Sequence, residues 1–298
     1  MPAIHYQPCD RRRFLKTALV GGAALVFAGH RVARGATTAT RDYHLALLAD
    51  THLPGDRQYG HCGFNPWENL KQIVPAVVNA RPEGVVICGD AARLDGQRLD
   101  YEELKSLLDP IASQMPVTIA LGNHDDRANF FPVFPALPGQ SPSIAGKHVS
   151  VIEHALVRIV VLDSLLYVNK TAGLIGREQR SWLGNQLPQW TDRPVVVMVH
   201  HTLGDGDGEL LDVDRLFELI RPHRQVKAIF YGHSHVWQIG ERDGVKLINL
   251  PAVGYNFRDQ DPVGWIDARF RGDEVELTLH AFAGNRLEDG KTTTVRWG

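Results

Sequence analysis

The chain has 298 residues, 44% of them hydrophobic, and a formal net charge of −2. That is enough apolar material for one large domain or two small ones with a full core. Residues 1–36 hold six of the 32 Lys and Arg but only one of the 34 Asp and Glu. The remainder therefore carries 26 basic against 33 acidic side chains, a net of −7, which argues against a DNA or RNA partner.

Arg11-Arg12-Arg13-Phe14-Leu15-Lys16 precedes a small, weakly apolar stretch from Thr17 to Gly29. That stretch is shorter than the roughly 20 apolar residues of a membrane span, and it has the basic and apolar regions of an export signal. Ala33, Gly35 and Ala36 offer a cleavage site. The Arg-Arg-x-Phe-Leu-Lys pattern resembles a twin-arginine signal, which is an address and not an anchor. Residues 1–36 are thus expected to be an export signal and 41–298 a single domain. The mature protein is expected in the periplasm or outside the cell, without stable membrane insertion. Three cysteines, Cys9, Cys62 and Cys88, are too few and too scattered for a disulfide scaffold. A Cys62–Cys88 bridge suits an oxidising compartment, but Cys88 in its apolar run reads first as a small buried hydrophobe.

Beyond the signal, apolar runs alternate with amphipathic segments. Residues 43–49 read as a strand. Asn65-Pro66-Trp67-Glu68 starts a helix, with a capping residue, proline at the first helical position and Glu three residues after the cap. Leu70, Ile73, Val74, Val77 and Val78 then line one face. Strands follow at 84–88 and 116–121, separated by a helix expected to be capped by Asp100. The segment 129–147, with Pro132, Pro135, Pro138 and Pro142, reads as a long irregular loop. Further strands are expected at 155–162, 194–199, 226–231 and 245–250, with helices around Trp182–Leu187 and after Asp212. Residues 263–270 and 274–280 suggest an antiparallel hairpin in a second sheet. Buried strands alternating with helices mean α/β layers.

Polar residues follow these strands in a fixed series. They are Asp50-Thr51-His52, Gly89-Asp90, Gly122-Asn123-His124-Asp125, His200 and Gly232-His233-Ser234-His235. Ligands of α/β sheets bind outside the carboxyl ends of strands, so five strands deliver these groups to one place. Imidazole and carboxylate suit Zn, Fe and Mn. Asp90 is the natural bridge between two such ions, and a metal pair acidifies a water and clamps an in-line displacement at phosphorus. Asp205, Asp207 and Glu209 lack the Glu that a calcium loop needs at its twelfth position, which is Leu216 here, so they read as a solvated acidic loop.

The series resembles the pattern of the calcineurin-like metallophosphoesterases over about residues 43–256, with Gly122–Arg127 and Val199-His200-His201 most like the class III cyclic-nucleotide phosphodiesterase branch. The branch usually places prolines after the paired histidines, where this chain has Thr202-Leu203-Gly204. The resemblance implies a four-layer α/β/β/α sandwich of two mixed sheets. It implies two divalent or trivalent metals (Fe, Mn or Zn). One would be held by Asp50, His52, Asp90 and His235, the other by Asp90, Asn123, His200 and His233. It makes His124 the acid that protonates the leaving oxygen, with Asp125 orienting it. Arg127 is a candidate phosphate contact or a surface arginine. His201 is a candidate substrate contact or a support behind a ligand. The expected activity is hydrolysis of small phosphate esters, diesters first, by a hydroxide shared between the metals. The alternatives are a phosphomonoesterase or a non-catalytic metal-binding protein on this fold.

Overall fold

The structure, a computed structural model, describes residues 42–135 and 144–297, together with the backbone of residues 5 and 6. The expected signal and the centre of the proline-rich loop, 136–143, lie outside the described residues. No described helix is long and apolar enough to cross a membrane.

Two sheets form the centre of the fold. The first contains β2 (Tyr43–Leu48), β3 (Gly84–Cys88) and β4 (Val117–Ala120) as parallel neighbours. It continues from β2 through β11 (Pro262–Phe270), β12 (Glu274–Gly284) and β13 (Thr292–Arg296), all antiparallel, and β1 (His5–Tyr6) borders β4. The second sheet has the order β5 (Ser150–Glu153), β6 (Arg158–Val161), β7 (Val195–Met198), β8 (Val226–Tyr231), β10 (Val245–Asn249), β9 (Gln238–Arg242). Strands β6, β7, β8 and β10 run parallel. The expected C-terminal hairpin exists, but it extends the first sheet: Ile266 pairs with Leu47. Its apolar alternation marks a strand pair without saying which neighbour it finds.

Because side chains alternate along a strand, each central strand feeds two cores. Ala46 and Leu48 face a core shared with α1 (Pro66–Ala80), α2 (Arg98–Ala112) and α3 (Arg127–Val133). Leu45 and Leu47 face the inter-sheet core, where they join Val196 and Met198 of the second sheet. Val195 and Val197 point outward to α4 (Arg177–Gln186) and α5 (Val213–Ile220). The result is the expected four-layer α/β/β/α sandwich.

Asn65 caps α1 by accepting from Trp67 and Glu68 N–H. Helix α2 starts two residues before the expected cap: Gln97 is the cap, and Asp100 returns its carboxylate to the Gln97 N–H at 3.2 Å from inside the first turn. Asp212 stands at the start of α5 but spends its side chain on Ile175 and Gly176 N–H and on Arg180. The proline-rich segment is helical at its start: Asp126 caps α3, which runs through Pro132 to Val133. Cys62 is exposed and Cys88 buried, both as free thiols.

Asp163, just after β6, ties several loops together. Its buried carboxylate accepts two bonds from Arg127 (2.7 and 2.8 Å) and one each from His148 and Leu165 N–H (2.7 and 3.0 Å). Asp163→Asn would leave a largely buried guanidinium without its counter-charge, at about 3 kcal/mol. For a domain of this size the melting temperature is expected to fall by roughly 6–12 °C in calorimetry. An unchanged transition would show that the pair contributes nothing net.

Candidate metal centre

All five expected segments converge. Asp50, Asp90 and Asn123 follow β2, β3 and β4 of the first sheet, and His200 and His233 follow β7 and β8 of the second. The sheets are joined here: the His233 N–H donates to the Asp50 carboxylate (3.1 Å), and the His200 Nδ1–H to Cys88 O (2.9 Å). Three groups of side chains each bring one ligand atom apiece within 4.8 Å of one another. They are Asp50, His52 and His235; His52, Asp90 and His124; and Asp90, His200 and His233.

Asp90 sits at the middle. One oxygen, Oδ1, accepts the His124 N–H at 2.9 Å. The other, Oδ2, lies 3.3 Å from His200 Nε2, 3.7 Å from His52 Nε2 and 4.0 Å from His124 Nε2. Oδ1 is thus used to hold the backbone, and Oδ2 faces the imidazoles. Asp50 Oδ1 lies 3.4 Å from His235 Nε2, and Asn123 Oδ1 lies 3.2 Å from His200 Nε2.

Five imidazoles share one arrangement: each has one ring nitrogen on a backbone carbonyl. His52 Nδ1 meets Arg93 O (3.2 Å), His124 Nδ1 meets Leu94 O (2.6 Å) and His200 Nδ1 meets Cys88 O (2.9 Å). His233 Nε2 meets Gly208 O (3.0 Å), and His235 Nδ1 meets Tyr255 O (2.7 Å). A carbonyl only accepts, so these nitrogens carry the proton. On His52, His233 and His235 the opposite nitrogens are left as lone pairs, which is the tautomer a metal needs. Two of them, on His52 and His235, stand 3.0 Å apart with no proton to share. Facing lone pairs at that distance call for a cation, so the donor set fits a metal centre.

The electrostatics agree. Burial drives the His52 pKa down to about 3 and lowers His233 as well, keeping both neutral. Burial works against a charge on His200 too, but the Asp90 and Asp50 carboxylates raise it to about 9. A bound cation would take that proton's place. Burial alone would raise Asp50 and Asp90, yet His235 and His200 respectively hold them below the ordinary carboxylate value.

The backbone is strained at this site. Asp50, His52, Asp90, His233 and His235 all have positive φ, between 43° and 70°, a region that non-glycine residues rarely enter. Each costs of order 1 kcal/mol or more and persists because the surroundings over-determine it. Close packing sets two neighbouring glycines. A Cβ on Gly89, at φ +82°, would stand 2.4 Å from His200 Nδ1, and one on Gly122 would stand 2.2 Å from Asp90 Oδ1.

Three expected roles change. Asp125 does not meet the His124 ring. Its buried carboxylate accepts from the N–H groups of Ala91, Ala92 and Gly122 and from the Tyr101 hydroxyl, all within 3.2 Å. It fixes the loops carrying Asp90 and His124 and leaves Leu94 O to orient the imidazole. Burial, then the nearby Asp90, raises its pKa to about 6. Arg127 is committed to Asp163 and to Leu165 O, so it is not a free phosphate contact. His201 is fully buried behind the ligands, its Nδ1 2.7 Å from Ser164 Oγ and its ring 4.7 Å from that of His233. It supports His233 and has no open path to substrate. Sequence reasoning missed the five orienting carbonyls, as well as Tyr255 and Phe257, whose rings pack on His235.

A model of the calcineurin-like phosphoesterases matches residues 43–237. The chain is 25% identical over 230 residues, 75% of its length and 92% of the relative's, to a probable cyclic nucleotide phosphodiesterase of Vesicomyosocius okutanii. It is 27% identical to the 3′,5′-cyclic adenosine monophosphate phosphodiesterase CpdA of Haemophilus influenzae, covering 82% and 88% of the two chains. The glycerophosphodiester phosphodiesterase GpdQ of Enterobacter lignolyticus is also 27% identical, over 70% and 77%. The fold is shared with a dimetal phosphatase from Danio rerio (TM-score 0.67, 15% identity, 86% of this chain and 99% of that one). A match that runs from β2 through the last histidine motif, on this sandwich, establishes that the chain belongs to the calcineurin-like phosphoesterase family and is a metal-dependent phosphoester hydrolase.

Proposed function

We propose that the chain is an exported phosphodiesterase with two metal ions, of Fe, Mn or Zn. One ion is held by Asp50, His52, Asp90 and His235, the other by Asp90, Asn123, His200 and His233. The observation that carries this reading is the convergence of His52, His200, His233 and His235 on the Asp50 and Asp90 carboxylates, each ring held by a backbone carbonyl at its other nitrogen. When bound, two such ions supply positive charge for the phosphoryl oxygens and an acidified water. The protein's own part is to orient and to move a proton. Leu94 O holds the His124 ring so that Nε2 faces Asp90 and the reacting phosphate. His124 Nε2–H then protonates the departing oxygen. Asp125 keeps the two loops in register.

The diester preference is supported by relatives named for cyclic nucleotides and glycerophosphodiesters. Export is supported by Arg11-Arg12 and the short apolar stretch after it. An exported enzyme has no access to cytoplasmic cyclic AMP, so the physiological substrate is a small extracytoplasmic phosphate ester.

With Mn²⁺, bis-p-nitrophenyl phosphate is expected to be hydrolysed with a higher kcat/KM than p-nitrophenyl phosphate, and chelation is expected to stop both. No metal-dependent turnover of either compound would sink the hydrolytic reading, and faster monoester turnover would replace the diesterase by a phosphatase. Lysine at both Arg11 and Arg12 is expected to retain the protein in the cytoplasm of fractionated cells.

A further inference from the structure

Large apolar side chains stand on the rim of the metal centre. Seven large apolar side chains are exposed among the described residues. Four of these, Leu94, Tyr167, Val168 and Phe257, lie on segments that touch the centre. Leu94 O holds His124. The loop of Tyr167 and Val168 donates the Asn169 N–H to Asn123 O at 2.6 Å. Phe257 stacks on His235, with centroids 4.4 Å apart and planes 24° from parallel, and is still 58% exposed. One face of its ring lies against this candidate metal ligand, and the rest of the side chain stays open to solvent.

The flat groups continue from there. The Tyr255 ring stands edge-on to Phe257 at 5.5 Å, and His61 stands edge-on to Tyr255 at 4.6 Å. Tyr59 lies parallel to His61, and the Arg93 guanidinium covers Tyr59 at 4.5 Å. The opposite side of the centre differs. There Gly208 O holds His233, and the loop carries Asp205, Asp207 and Glu209. An anionic substituent is repelled on that side, and a flat uncharged one gains ring contacts on the other.

We infer that the wall begun by Phe257 and Tyr255 is a specificity subsite that binds a flat aromatic substituent of the phosphate ester. The subsite rests on the two-metal reading, since the phosphoryl group must be anchored for the ring to reach Phe257. Phe257 is a specificity-determining residue here and takes no part in bond breaking.

The test compares phenylphosphonate with methylphosphonate, which share a head group and differ in the ring. Binding to the Mn²⁺-loaded protein is read by calorimetry, which needs no turnover. Phenylphosphonate is expected to bind about fivefold to tenfold more tightly, the ordinary size of one aromatic pair. Phe257→Ala is expected to bring the ratio to within about twofold, and Phe257→Trp to keep it. The ratio cancels any damage to His235 common to both ligands. If both phosphonates bind equally to the wild type, the subsite is overturned and the metal centre stands. A preference that survives Phe257→Ala overturns the assignment to this ring. If neither binds the loaded protein, the reading of the centre fails and the subsite fails with it.

Discussion

Asp90→Ala is expected to lower kcat/KM for bis-p-nitrophenyl phosphate on the order of 10⁴-fold or more, and to reduce bound metal from two ions to one or fewer per chain. The size follows from position. Among the described residues, Asp90 is the one carboxylate with an oxygen within 4.0 Å of ring nitrogens on His52, His124 and His200 together. Losing it removes negative charge from both ion sites and the acceptor of the His124 N–H. Groups that act as a unit fail together, so a single deletion has close to the full effect. The stability cost is smaller. It comprises one unpaired N–H, about 1–3 kcal/mol, offset by relief of the repulsion from Asp50. Metal content by mass spectrometry, with a thermal melt, separates the two effects. A folded variant with two bound ions and near-normal turnover would remove Asp90 from the bridge.

The candidate ligands were legible in the sequence because metal binding restricts residue type, and because each of them follows a strand end. The parallel strands were legible for the same reason that they are buried: both faces of β2 and β7 feed cores, so both read as unbroken apolar runs. What holds the imidazoles was not legible. Every residue has a carbonyl, so nothing in the letters marks Cys88, Arg93, Leu94, Gly208 and Tyr255 as those whose oxygens fix the tautomers. The positive φ values of Asp50, His52, Asp90, His233 and His235 run against residue preference, so nothing in these residue types announces them. Asp125 misled for a related reason. The resemblance implied that it orients His124, but the turn sends its side chain back to Gly122, Ala91 and Ala92.

His124→Ala is expected to act differently on different esters, and that difference identifies its role. The ring stands with Nδ1 on Leu94 O and Nε2 4.0 Å from Asp90 Oδ2, partly exposed where its neighbours are buried. The carbonyl holds one proton on Nδ1 permanently, so only Nε2 can exchange a proton with substrate. An alkoxide leaves poorly without protonation, whereas p-nitrophenolate leaves as the anion. The variant should therefore lose roughly 10²–10⁴-fold in kcat on an alkyl diester and less than about tenfold on bis-p-nitrophenyl phosphate. His124→Gln tests the same point from the other side: it keeps a donor near the phosphate but has no proton to give, so it should match alanine on the alkyl ester. Equal losses on both esters would make His124 an electrostatic anchor for the phosphoryl group, and the proton would then have to come from solvent.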